Sequence, residues 1–224
     1  MSASFAVRAT GLLLGLLAGI AAAGDDDAGA APVVAMGAAK TWDFSVTLDG
    51  KPIGEHRFNL RATGDERLMQ STSQADFVVT LLGIPVFRYH HHAVEDWRGN
   101  CLRGLEASTE ENGRTTRVRL RGDELAAHGG EGDASGCMMS FAYWNPAMLG
   151  QTRLINAQTG KTDAVRVVAL GSAPIEVRGQ QVTGRRWRIS GPPEAIDVWY
   201  GPKGDWIGLD ATVSGGRRLS YRLR

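Results

Sequence analysis

The sequence lacks any strong excess of charge, since 25 Lys+Arg stand against 24 Asp+Glu in 224 residues and give a formal charge of +1. Tight phosphate binding requires a clear surplus of cations, so nucleic acid is not expected as a partner. A collagen-like, coiled-coil or wholly disordered chain is also excluded, because 43% of the residues are hydrophobic and 22% are charged, with no repeat. The composition fits one ordinary globular domain.

A long apolar run is also missing, apart from a short one near the start. Arg8 precedes an apolar stretch from residue 11 to residue 23, which ends in three alanines. As a helix it reaches about 20 Å, well short of a hydrocarbon core of about 30 Å. The order of basic, apolar and small residues predicts a signal peptide over residues 1–23 and export to the periplasm. We expect no transmembrane anchor after cleavage.

The next segment, residues 24–40, is acidic and rich in small residues, and it has no periodicity. Such a composition is typical of a disordered leader. We therefore expect a single β-rich domain over residues 41–224.

Alternation with a period of two begins at Trp42. Apolar residues at 42, 44, 46 and 48 are separated by polar ones, which indicates a half-buried strand. A turn at residues 49–52 leads to a second strand, in which His56, Phe58 and Leu60 share one face. About ten short runs of this kind follow, most of them separated by turns that contain glycine. They predict a mainly β fold, an antiparallel meander that forms a curved sheet or a partly open β-barrel.

Helix is scarce, and one or two short helices are expected. The credible stretch is 140–155, with a helical turn beginning near Pro146. The apolar run 77–82 fits either a buried strand or a short helix.

Several segments resemble two families of bacterial exported proteins. They are 42–54 (WDFSVTLDGKPIG), 83–97 (GIPVFRYHHHAVEDW), 141–160 (FAYWNPAMLGQTRLINAQTG) and 196–209 (IDVWYGPKGDWIGL), with a similar ending at 216–223. These residues look like those of the DUF6134 and DUF3108 families. The resemblance implies an exported, sheet-rich envelope protein and brings no catalytic residues with it.

The two cysteines are Cys101 and Cys137, and export places them in an oxidising compartment. We expect a disulfide that closes a loop of about 37 residues and constrains the unfolded chain by about 4 kcal/mol. The alternative is a catalytic cysteine activated by a neighbouring histidine.

The run His90-His91-His92 contains ligands that suit zinc or copper. On a strand, however, His90 and His92 share one face, while His91 lies with Ala93 and Glu95. No second cluster completes a site, so we expect a polar, solvent-facing strand and no metal. The Gly160-Lys161-Thr162 sequence lacks the glycine that a phosphate-binding loop requires, and no nucleophile elbow or zinc-protease motif is present. We expect no catalytic residues and no cofactor.

The aromatic residues offer the remaining signal, because the chain has six tryptophans. They fit either the core of a sheet with little helix to cover it or the lining of an apolar site. Methionine and aromatic residues crowd the segment 138–149. The candidate ligand-binding residues are Met138, Phe141, Tyr143, Trp144, Met148 and Trp199.

The leading hypothesis is a non-enzymatic periplasmic protein that binds a lipid-like or other apolar molecule during envelope maintenance. The first alternative is a protein-interaction module of the envelope, which uses a sheet edge or the segment 138–149 as its contact surface. The second is a hydrolase that uses dispersed carboxylates.

Overall fold

The computed structural model describes residues 39–122, 124–125, 137–192 and 194–224. For residues 65–67 it describes the main chain only. The predicted signal peptide and residues 24–38 of the predicted leader lie outside the described residues. The first strand begins at Lys40.

The described residues contain thirteen strands and two 3₁₀ helices. The strands are β1 (Lys40–Leu48), β2 (Lys51–Thr63), β3 (Asp65–Leu81), β4 (Ile84–Arg98), β5 (Cys101–Glu111), β6 (Arg114–Arg121), β7 (Arg153–Ile155), β8 (Thr162–Ala164), β9 (Arg166–Val177), β10 (Gln180–Ser190), β11 (Ile196–Tyr200), β12 (Trp206–Val213) and β13 (Arg217–Leu223). The 3₁₀ helices are Pro146–Gly150 and Ser214–Gly216. No helix among these residues is long and apolar enough to cross a membrane.

Eleven strands form one antiparallel sheet in the order β6-β5-β4-β3-β2-β1-β13-β12-β11-β10-β9, and β7 and β8 pair separately. The first and last described strands are neighbours in the middle of the sheet, where β1 pairs with both β2 and β13. β6 and β9 are edges in the described part of the chain, so the sheet does not close into a barrel. The predicted mainly β, partly open meander is confirmed. Of the run 77–82, residues 77–81 are strand and continue β3 to its end, while Leu82 lies in the turn that follows.

The alternation of apolar and polar residues along each strand decides which of its faces meets the core. In β1 the side chains of Trp42, Phe44, Val46 and Leu48 are buried, while those between them are less so. Successive side chains on a strand point to opposite faces, so one side of the sheet collects the apolar set. That side forms the core and is called the inner face below.

The antiparallel order gives the sheet two ends. The hairpin end carries the β1–β2, β3–β4, β5–β6 and β12–β13 turns, and the disulfide end carries the β4–β5 turn beside Cys101. The predicted disulfide is confirmed, because Cys101 is bonded to Cys137. At the same end the Leu102 N–H donates to the Met138 carbonyl oxygen at 2.9 Å.

The segment 137–150, called the crossing segment, spans the inner face at the disulfide end. On one side the Trp144 ring packs against Trp97 of β4, with ring centroids 5.3 Å apart. On the other side Tyr200 of β11 donates its hydroxyl hydrogen to the Tyr143 carbonyl oxygen at 2.8 Å. The stretch 140–155 therefore contains a 3₁₀ helix, whose first turn Asn145 caps, followed by β7. A longer helix is absent there, because Met139, Met148 and Ile155 are buried across an irregular path.

Gly54 lets β2 and β3 approach closely, next to a register shift in the β1–β2 pairing. Its φ is 151°, and a Cβ there would lie 1.9 Å from the Asp76 carbonyl oxygen. We expect Gly54→Ala to lower the free energy of unfolding by at least about 2 kcal/mol, since strain and steric overlap add. Gly150→Ala is the control, because a Cβ at Gly150 meets nothing within 4 Å. Urea unfolding compares the two, and equal costs would contradict this account of the β2–β3 contact.

Candidate functional site

The inner face encloses a cavity of about 250 Å³. The crossing segment forms its floor through the residues from Ser140 to Trp144, and strands on both halves of the sheet form its walls. Toward the hairpin end the lining reaches Leu219, Ile196 and Pro192, and the exposed Gln158 lies on the same rim. The cavity therefore lies between a floor at the disulfide end and a rim toward the hairpin end.

Aromatic side chains dominate the wall near Trp206. The Trp206 ring lies 4.9 Å from Phe58 and 5.3 Å from Tyr143, measured between centroids. Phe58 also stacks on His56 at 4.0 Å. The lining residues of β2, β3, β4, β11, β12 and β13 are His56, Phe58, Ser71, Ser73, Tyr89, His91, Ala93, Glu95, Ile196, Trp206, Leu209, Ala211, Leu219 and Tyr221. Such rings supply large apolar contact area and fixed geometry.

Two histidines in this wall are held neutral. Burial, assisted by the nearby His91, lowers the pKa of His56 to about 3. Burial and then His92 lower the pKa of His91 to about 4. The His91 Nδ1 atom lies 2.8 Å from the Thr109 hydroxyl, whereas the buried Nε2 atom of His56 has no hydrogen-bond partner. An unpaired buried nitrogen costs about 1–3 kcal/mol, so a polar group that reached it would be favoured.

Glu95 is the one carboxylic acid among the described lining residues. Burial raises its pKa, and the neighbouring polar side chains of Ser140, Ser71 and Trp97 only partly oppose that rise. The Ser71 hydroxyl donates to the Glu95 Oε2 atom at 2.9 Å, and the Trp97 indole donates to Ser71 at 3.1 Å. This chain of donors fixes the carboxyl group in place.

The tyrosines of the wall also favour their neutral forms. Burial raises the pKa values of Tyr89, Tyr143 and Tyr221. The hydroxyl of Tyr221 lies 3.5 Å from the Nδ1 atom of His56. The wall thus combines aromatic and aliphatic surface with a few polar groups that resist ionisation. Such a wall offers favourable contacts to apolar, uncharged groups and unfavourable ones to charged groups.

The structure divides the ligand-binding residues predicted from sequence into two sets. Phe141, Tyr143 and Trp144 lie on the cavity floor. Met138, Met148 and Trp199 are buried at 4%, 0% and 5% exposure and pack in the core, away from the lining. The crossing segment therefore contributes to the cavity through its aromatic residues, and its methionines anchor it.

The chemically distinctive residues of the wall are ones that the sequence did not single out as ligand contacts. His56 lies on the same strand face as Phe58 and Leu60, and His91 on the same face as Ala93 and Glu95. The alternation of residues along the strands was therefore the sequence feature that could have placed both histidines on the inner face. The expected solvent-facing strand is wrong for His91, which is 7% exposed, while His90 and His92 are exposed on the outer face. Among the described residues no group of three or more His, Cys, Asp or Glu is placed to hold a metal ion.

The neutral histidines predict how stability changes with pH. Their folded pKa values of about 3 and 4 lie below the unfolded value of 6.5. Unfolded chains therefore bind more protons below pH 6.5, and stability present above that pH is lost as the pH falls toward 4. Glu95 acts in the opposite sense, because its folded pKa is raised. The test is thus the difference between a variant and the wild type.

We expect His91→Gln to lose less stability than the wild type between pH 7 and pH 4, by about 1.4 kcal/mol for each unit of depressed pKa that it removes. His92→Gln, on the exposed face of the same strand, should stay much closer to the wild type, because burial, and not His92, is the larger cause of the lowered His91 pKa. Urea unfolding across this range measures both. Parallel curves for His91→Gln and the wild type would show that His91 is not held neutral by burial.

Comparisons with known proteins agree with this architecture. A family model described as "Domain of unknown function (DUF6134)" matches residues 44–224. A crystal structure of a "Beta-barrel-like Protein of Domain of Unknown Function DUF1849" from Brucella abortus superposes with a TM-score of 0.52 at 11% identity. The similarity covers 85% of this chain and 97% of that one and concerns the fold. The search of curated proteins yields no match.

Proposed function

This chain belongs to the DUF6134 family of unknown function, and we propose that it binds a small, neutral, mainly apolar molecule as an exported protein of the cell envelope. The observation that carries the proposal is the cavity itself. Its wall is largely aromatic and aliphatic, and burial shifts the pKa values of His56, His91 and Glu95 toward their neutral forms. Export rests on the leader pattern of residues 1–23 and on the disulfide between Cys101 and Cys137.

The size of the cavity limits the ligand. Its volume of about 250 Å³ is near the lower end of small-molecule sites, which span about 300–1,000 Å³. A molecule with one short alkyl chain or a small ring system fits this space, whereas a whole two-chain phospholipid does not. One hydroxyl group on such a ligand has hydrogen-bonding partners in His56, His91 and Tyr221.

The charge of the wall decides between ligand classes. A ligand carboxylate inside the cavity would lose its hydration. It would meet no positive charge there, because both histidines are neutral and Glu95 is itself a carboxylic acid. A neutral alcohol keeps its apolar contacts without that cost. We therefore propose that the site selects neutral over anionic amphiphiles.

The test is a titration with N-phenylnaphthylamine, a neutral dye that fluoresces in apolar sites, followed by displacement. We expect saturable binding of one dye per chain, with dodecanol displacing the dye at a concentration at least about tenfold lower than dodecanoate, a difference of about 1.4 kcal/mol. Absence of saturable binding would overturn the binding function. Stronger displacement by dodecanoate would overturn the neutral-ligand assignment.

A further inference from the structure

The β3–β4 hairpin continues past its pairing with both neighbouring strands. β2 pairs with β3 as far as Phe77, and β5 pairs with β4 as far as Tyr89, yet the hairpin continues to the pair Leu81–Ile84. The projecting part, Val78–Phe87, is called the hairpin arm. Four residues of β3 extend past the last β2 pair, a reach of about 13 Å.

The hairpin arm is apolar and exposed. Leu81, Leu82, Ile84 and Val86 have exposed fractions of 63%, 95%, 67% and 55%. No charged residue lies in Val78–Phe87. Soluble proteins seldom expose clustered aliphatic side chains at a protruding tip, and such clusters mark contact sites.

Apolar side chains lie on both faces of the hairpin arm. Leu81 and Ile84 are cross-strand partners on one face, while Pro85, paired with Thr80, lies on the other. Leu82 lies at the turn with a φ of 50°, beside Gly83. A docking protein covers one face of a hairpin, whereas an element that is apolar on every side suits a medium that surrounds it. Lipid is such a medium.

The charges at the base of the hairpin arm fit a bilayer surface. Arg88 is exposed where the arm leaves the sheet, and its main chain is bonded to Asn112 in the next turn. Lys51 and Arg114 are exposed at the first positions of β2 and β6, beside the two flanking turns. Asp49 in the β1–β2 turn is already bonded by Arg217 and Arg218. Cations at this height meet lipid phosphates when an apolar tip is buried. The exposed Glu111 at the same level reduces the net positive charge there, so the electrostatic attraction to lipid phosphates is modest.

We propose that the hairpin arm inserts into the surface of a phospholipid bilayer. The exposed apolar tip of the arm suits the boundary between headgroups and acyl chains, where interfacial elements bury about 5–10 Å. Its two strands pair with each other as far as Leu81 and Ile84, which satisfies the main-chain groups that lie between them. The arm lies at the same end of the sheet as the cavity rim, so a docked protein would turn the cavity toward the membrane. The proposal stands independently of what the cavity binds.

The test is flotation of the mature full chain with vesicles of phosphatidylethanolamine and phosphatidylglycerol. We expect the wild type to float with the vesicles and Leu82→Ser/Ile84→Ser to bind at least about tenfold more weakly, because two exposed aliphatic side chains are removed. The matched control is Val168→Ser/Leu170→Ser, which changes two side chains of β9 that are each 41% exposed. The control should bind within about twofold of the wild type.

Two further measurements make the outcome decisive. All three proteins should unfold at the same temperature and bind N-phenylnaphthylamine equally, so that a loss of flotation reports on the hairpin arm alone. Equal flotation of the arm variant and the wild type would overturn the proposal, as would failure of the wild type to bind vesicles. Self-association of the wild type that the arm substitutions abolish, without vesicle binding, would assign the arm to a second copy instead.

Discussion

Replacing Ala211 with tryptophan should abolish binding of N-phenylnaphthylamine, with an affinity loss of at least about hundredfold or about 2.8 kcal/mol. The Ala211 side chain lines the cavity from β12. An indole at that position would occupy the space that the dye needs in a cavity of about 250 Å³. Fluorescence titration measures the affinity.

Thr212→Trp is the matched control, because it adds the same side chain one residue further along β12. Thr212 is exposed and points away from the cavity, since successive strand residues face opposite sides. It should bind the dye within about twofold of the wild type. Equal loss in both variants, or equal binding by both, would show that the dye does not occupy the cavity. The melting temperature of each variant confirms that it is folded.

The second large effect is expected from the disulfide. Replacing Cys101 and Cys137 with alanine should lower the free energy of unfolding by about 4 kcal/mol, because the unfolded chain regains the freedom of a closed loop of about 37 residues. The bond also attaches the crossing segment to the start of β5, where Leu102 bonds to Met138. Its loss should therefore weaken dye binding as well, since Phe141, Tyr143 and Trp144 form the cavity floor.

Urea unfolding with and without reductant measures this effect. The wild type should lose stability when reduced, whereas the double alanine variant should be insensitive to reductant. A wild type whose unfolding midpoint is unchanged by complete reduction would show that the bond contributes nothing to stability. Mass spectrometry after thiol labelling establishes the redox state in each sample.

The sheet was predictable because alternation is a local signal. Every second residue from Trp42 to Leu48 is apolar, which identifies the buried face of β1. In the same way, alternation places His91 on one strand face with Ala93 and Glu95, and His90 and His92 on the other. The ends of strands were less predictable. The apolar run 77–82 has no alternation, and its continuation of β3 depends on pairing with β4, which is a tertiary contact.

The cavity was only partly predictable. The aromatic residues of the crossing segment were visible as a cluster, and Phe141, Tyr143 and Trp144 do lie on the floor. Met138 and Met148 of the crossing segment and Trp199 of β11 are also apolar but lie in the core, because packing, and not residue type, decides which side chains reach the cavity. The neutral state of His56 and His91 follows from burial, which one sequence does not reveal.

The most direct test of the central claim is photocrosslinking with a diazirine-bearing dodecanol, followed by peptide mapping. The account predicts that the label is found on cavity residues from both the floor and the walls, such as Tyr143, Trp206 and Tyr221, and that unlabelled dodecanol competes it away. Label confined to the hairpin arm or scattered over the outer face, and unaffected by competitor, would contradict a neutral-ligand site in the cavity.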